Sequence, residues 1–202
     1  EQLAINAAEL FGRIGETQGA LAIEADALLS VTGVLQIPDR RGGTLLVPAP
    51  RAVGAENPLL AERRFLPAVT TGVGQQITYV LLNATDEDIA GTLEIDGQNI
   101  GYQISAGGVF VQETQRDNRP LVTGFGVVRT SRGRAPSAEA LVAVERRDGS
   151  LRSAHTVTSH QEGVLFWGPV DTYPTLLRHG DIEAELHLLS EGRVPATVYL
   201  EL

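Results

Sequence analysis

Hydrophobic and polar residues alternate with a period of two along most of the chain, which is the pattern of half-buried strands. Gln75 to Leu82 (QQITYVLL) is rich in β-branched and aromatic residues, and the polar turn Asn83 to Asp88 follows it. Ile89 to Ile95 resumes the alternation, with Ile89, Gly91, Leu93 and Ile95 on one face. Asp96-Gly97 then reads as a two-residue hairpin turn. Ile100 to Ile104 and Val109 to Gln112 are the next strands, separated by Ser105-Ala-Gly-Gly108. Val122 to Thr130 and Ala138 to Glu145 flank an Arg-rich loop, and Arg147-Asp-Gly-Ser150 turns the chain into Leu151 to Thr158. One short helix is expected at Ala4 to Arg13, where Ala7, Leu10 and Phe11 share a face. Short strands with turns at this spacing predict an all-β fold with little helix, an antiparallel sandwich of the immunoglobulin-like (Ig-like) kind.

The chain also repeats itself. Asp39-Arg40-Arg41-Gly42-Gly43-Thr44-Leu45 reappears as Glu145-Arg146-Arg147-Asp148-Gly149-Ser150-Leu151, 106 residues later. Leu81-Leu82-Asn83 with Thr92 to Ile95 recurs as Leu188-Leu189-Ser190 with Tyr199 to Leu202, an offset of 107. Phe65-Leu66-Pro67 resembles Phe166 to Pro169. Similar offsets at separate places predict tandem modules with a period of about 106. In that phase 1–57 is the second half of a module, 62–161 a complete module and 164–202 the first half of the next. The alternating residues Val194 to Leu202 fit a window on a longer array, or half-modules that complete each other within or between chains.

Composition narrows the function. The 202 residues are 43% hydrophobic and 20% charged, enough for a packed core. A net charge of −9 disfavours a nucleic-acid partner, and no apolar run is long enough for a membrane span. There is no Cys, and all 16 cations are Arg, so thiol and lysine chemistry are excluded.

With Phe65-Leu66-Pro67, Leu81-Leu82-Asn83, Gly91-Thr92-Leu93, Ile104-Ser105-Ala106-Gly107-Gly108 and Ala135-Pro136-Ser137, the sequence resembles the β-sandwich repeats of large secreted bacterial surface proteins. The resemblance covers 62–161 best and 17–50 and 164–202 in part. It implies a secreted or cell-surface scaffold and no catalytic role.

Candidate chemistry is sparse. His155, His160, His179 and His187 lack metal-ligand spacing, so no metal or other cofactor is expected. The turn Thr85-Asp86-Glu87-Asp88 offers carboxylates for calcium but lacks the alternating acids of a calcium loop. Glu94 and Glu201 sit at equivalent positions of different modules, and no Gly-x-Ser-x-Gly elbow is present, so no catalytic residue is assigned. Phe166, Trp167 and Tyr173 form the one aromatic cluster, suited to a carbohydrate or to a neighbouring module. Cationic clusters are the Arg129 to Arg134 loop and the turns Arg40-Arg41 and Arg146-Arg147, and the two turns are candidate interfaces. Asn83-Ala84-Thr85 is a formal glycosylation sequon. The expected function is a non-catalytic structural or adhesive scaffold that associates with itself or with neighbouring modules. Alternatives are a carbohydrate-binding module and an accessory subunit of a larger envelope assembly.

Overall fold

A computed structural model describes residues 23, 26, 33–38, 42, 44–48, 62–114 and 119–159. The helix expected at 4–13 and the half-module 164–202 lie outside these residues. Ten strands are described: β1 (Val34–Pro38), β2 (Thr44–Pro48), β3 (Arg63–Thr71), β4 (Gln75–Leu82), β5 (Ile89–Ile95), β6 (Gln98–Ile104), β7 (Val109–Glu113), β8 (Val122–Arg132), β9 (Ser137–Glu145) and β10 (Leu151–Thr158). All pairings are antiparallel, and there is no helix among the described residues.

The strands from β3 to β10 form two four-stranded sheets. One has the order β3-β8-β5-β6 and the other the order β10-β9-β4-β7. Alternation supplies one apolar face to each sheet, and the two faces meet in a single core. Leu66, Leu93, Tyr102, Ile104 and Val128 come from the first sheet, and Ile77, Tyr79, Leu81, Ala138, Ala140 and Val142 from the second. Along β4 and β9, large residues lie beside small ones: Tyr79 pairs with Ala140 and Leu81 with Ala138. The alanines leave room for the Tyr79 ring, so neighbouring strands share one layer without overpacking.

Asp96 and Gly97 both lie at positive φ, +51° and +72°, and Ile95 pairs with Gln98 across them. The turn therefore uses only these two residues, which carries β6 back to Gln98, two positions before the expected start. Alternation alone did not mark β1, β2 or β3. In β3, Pro67 falls where the pairing with β8 shifts, between Leu66 and Val69. β3 is an edge strand, and Pro is tolerated at an edge or bulge because it has no N–H to donate to a ladder.

The hairpin β1–β2 has the loop of β9–β10 but not the bulge that shifts the latter's register between Leu151 and Ser153. Its closing pair is Pro38 with Thr44, and that of the second hairpin is Glu145 with Leu151. Each loop therefore holds five residues, 39–43 and 146–150. The fourth residue of each is a glycine at positive φ, Gly42 at +83° and Gly149 at +77°. These equivalent positions are 107 apart, whereas the sequence alignment had set Gly43 against Gly149.

Gly91 shows how tightly the first sheet is built. The β5–β8 register shifts between Ala90 and Gly91, and the Tyr102 hydroxyl crosses the glycine to donate to the Arg129 carbonyl at 2.9 Å. A Cβ at position 91 would collide with the Arg129 carbonyl and approach the Tyr102 hydroxyl to 2.5 Å. Gly91→Ala is expected to cost about 3 kcal/mol through this overpacking, read as a lower urea midpoint at unchanged m-value. A midpoint like that of the wild type would show that the strands part freely there.

Candidate functional site

The two ends of the sandwich are built differently. At one end, β4 passes to β5 and β6 passes to β7, and both connections cross between the sheets. Asn83 joins them. It is 1% exposed, and its Nδ2 faces the carbonyls of Glu87 (2.7 Å), Ser105 (3.0 Å) and Ile104 (3.3 Å). Its Oδ1 accepts from the Thr85 N–H (3.0 Å) and the Thr85 hydroxyl (2.7 Å). The backbones are stitched as well, Asn83 N–H to the Gly108 carbonyl and Gly107 N–H to the Thr85 carbonyl. Gly107 sits at φ +65°, and a Cβ on Gly108 would press on the Ser105 carbonyl at 2.9 Å. The motifs Leu-Leu-Asn and Ala-Gly-Gly thus meet as one polar clamp, and the sequon is spent inside it. A fully bonded, buried amide has no room for a glycan.

The acidic turn beside the clamp is exposed, and Asp88 Oδ1 accepts from the Ala106 N–H at 3.1 Å. Among the described residues, no three His, Asp or Glu side chains converge into a metal-binding group. Glu94 lies 3.6 Å from Arg129, which ties one end of the Arg-rich loop to β5. Arg63 stacks over the ring of Phe65 at 5.6 Å. His155 is exposed on β10.

The opposite end carries a surface that sequence reading missed. Val73 in the β3–β4 turn bonds through its N–H to the Arg119 carbonyl, so this turn packs on the segment entering β8. Val73, Leu121 and Val122 are exposed there by 52%, 60% and 56%. Thr71 donates to Asp96 at 3.0 Å, and Arg119 approaches the same carboxylate at 4.0 Å. The alternation places Val122 at the start of a strand and leaves Leu121 unmarked. Only the close approach of the two turns groups them with Val73. An apolar group rimmed by polar residues marks a contact surface.

The Arg146 to Ser150 turn closes β9–β10. Arg146 Nη1 donates to the Leu151 carbonyl (3.0 Å) and reaches the Ser150 hydroxyl (3.3 Å), while Asp148 Oδ1 accepts from the Ser150 N–H and hydroxyl. Arg146 thus braces its own turn, and Arg147 is exposed. Phe166, Trp167, Tyr173, Arg40 and Arg41 lie outside the described residues, as do Glu201, His160, His179 and His187.

Two buried phenols report on the core. Burial, reinforced by the charge of Asp96, holds Tyr79 well above the usual phenol range, and its hydroxyl has no hydrogen-bond partner among the described residues. Burial pushes Tyr102 up to about 12. Comparison with family models, curated proteins and solved structures gives no match.

Three outcomes follow. Asn83→Ala strands the buried Ile104 carbonyl and leaves the part-buried Glu87 and Ser105 carbonyls and Thr85 N–H without this partner, and should destabilise by about 2 kcal/mol in urea unfolding. Made in a glycosylating host, the wild-type protein should show no glycan at Asn83 by mass spectrometry, and a glycan there would mean that the clamp opens. The phenols have raised folded pKa values, so their contribution to stability is complete below about pH 10, where the unfolded phenol titrates. It is lost as pH rises toward and through about 12. Unfolding midpoints should fall above pH 10, and less steeply in Tyr102→Phe; an equal fall in both would remove Tyr102 as a cause.

Proposed function

We propose that the chain is part of a non-catalytic extracellular scaffold built of tandem Ig-like sandwich modules, with structural or adhesive work done through contacts between modules. The observation that carries this reading is the pair of similar hairpins: β1–β2 and β9–β10 share loop length, closing pair and the positive-φ glycine at a shift of 107, and differ by a bulge between Leu151 and Ser153. That shift equals the offset between Leu81-Leu82-Asn83 and Leu188-Leu189-Ser190, so a single period serves both halves. A module then begins before β3 and ends after β10.

The Ig-like assignment is supported by two inner pairings. Counting β3 as the first strand, the second pairs with the fifth (β4 with β7) and the third with the sixth (β5 with β8), in opposite sheets. The immunoglobulin order has both pairings. The first and seventh strands have exchanged places, since β3 lies beside β8 and β9 beside β4.

Contacts suited to assembly are the apolar end at Val73, Leu121 and Val122 and the exposed Arg147 turn. No helix among the described residues is long and apolar enough to cross a membrane. The test is location and accessibility in producing cells. Protease added to intact cells should remove the protein, or it should be found in the culture medium. Full protection inside intact cells that are not lysed would overturn the scaffold reading.

A further inference from the structure

β2 lies against β10. Among the described residues, β10 is the edge strand of its sheet, paired with β9 on one side only, and β2 pairs only with β1. An exposed edge of this kind is a template for another strand, and proteins cover such edges. The strand that lies beside this one, in a separate sheet, is β2, which stands in the first hairpin where β10 stands in the second. The same element therefore contributes from both sides of the contact. An interface that uses one patch on both partners is isologous, and it closes on pairs instead of propagating.

We propose that modules of this protein dock two by two through the β10 edge, the partner being the β9–β10 hairpin of another module of the same kind. In this chain that partner is the hairpin 34–48. The proposal rests on reading 34–48 as the counterpart of β9–β10, and it adds the surface used and its limit. Growth beyond a pair of modules needs a second surface, and the apolar end at Val73, Leu121 and Val122 lies at the turn end of the sandwich, apart from the strand edge.

The chain has no Cys, so paired cysteines report the contact cleanly. Leu46, Ser153, His155 and Asn99 are all exposed, and Asn99 lies on β6 at the far edge of the other sheet. In the full chain, Leu46→Cys combined with Ser153→Cys or His155→Cys should form an intramolecular disulfide on mild oxidation. At least one pair should oxidise ten times faster than Leu46→Cys with Asn99→Cys. Equal rates would overturn the docking. A second variant, Leu46→Pro, breaks β2 in mid-strand and frees the β10 edge. Amide exchange in β10 should then speed at least tenfold while β4 keeps its protection, and light scattering should show dimers at high concentration. Unchanged β10 exchange, persistent monomers or open-ended polymers would each count against pairwise docking. Location inside the cell would remove the scaffold reading and leave the cross-linking result untouched, so the two failures are distinguishable.

Discussion

The sandwich depends most on the Asn83 clamp. Two connections must cross from one sheet to the other at the same end, and each leaves backbone groups that no ladder can satisfy. One carboxamide answers them together, with its nitrogen turned to carbonyls of both loops and its oxygen holding the Thr85 turn. Neither an acid nor an aliphatic side chain offers donors and acceptors on opposite sides of one planar group. The glycines at 107 and 108 bring the second loop close enough for that group to reach it. The spacing between the sheets at this end is set by a polar contact, and the apolar core then fills the space it defines.

The opposite end is held by shorter ties: Thr71 on Asp96, Val73 on the Arg119 carbonyl, and Glu145 N–H on the Gly74 carbonyl. Its apolar side chains face outward while the clamp end is bonded inward, so the molecule has one sealed end and one end fit for contact. Flanking strands add a third kind of surface. β2 lies against β10, the outer strand of its sheet among the described residues, where an open edge would otherwise be a template for pairing.

Strands β4 and β5 were read from alternation to the residue, because each has a face committed to the core and a period that only a strand satisfies. Asp96-Gly97 was equally plain, since positive φ at both central residues restricts the sequence. β3 was hidden because Pro67 interrupts the pattern, and the edge position that makes it tolerable is a property of the sheet. At the glycine turns, sequence identity aligns Gly43 with Gly149, while Gly42 and Gly149 share a positive φ.

By itself, then, the sequence determined the strand class, most limits of the strands from β4 onward and the tight turns. These follow from local period and from backbone conformations that few residues accept. Strand order and the meeting of β2 with β10 were decided only in three dimensions. Asn83 looked like a sequon because a sequon is a local pattern, and it became a clamp because Ser105 lies 22 residues away in the chain and 3.0 Å away in the fold. Val73 and Leu121 became one surface for the same reason: apolar character is written residue by residue, whereas adjacency between distant turns is set by how the sheets close.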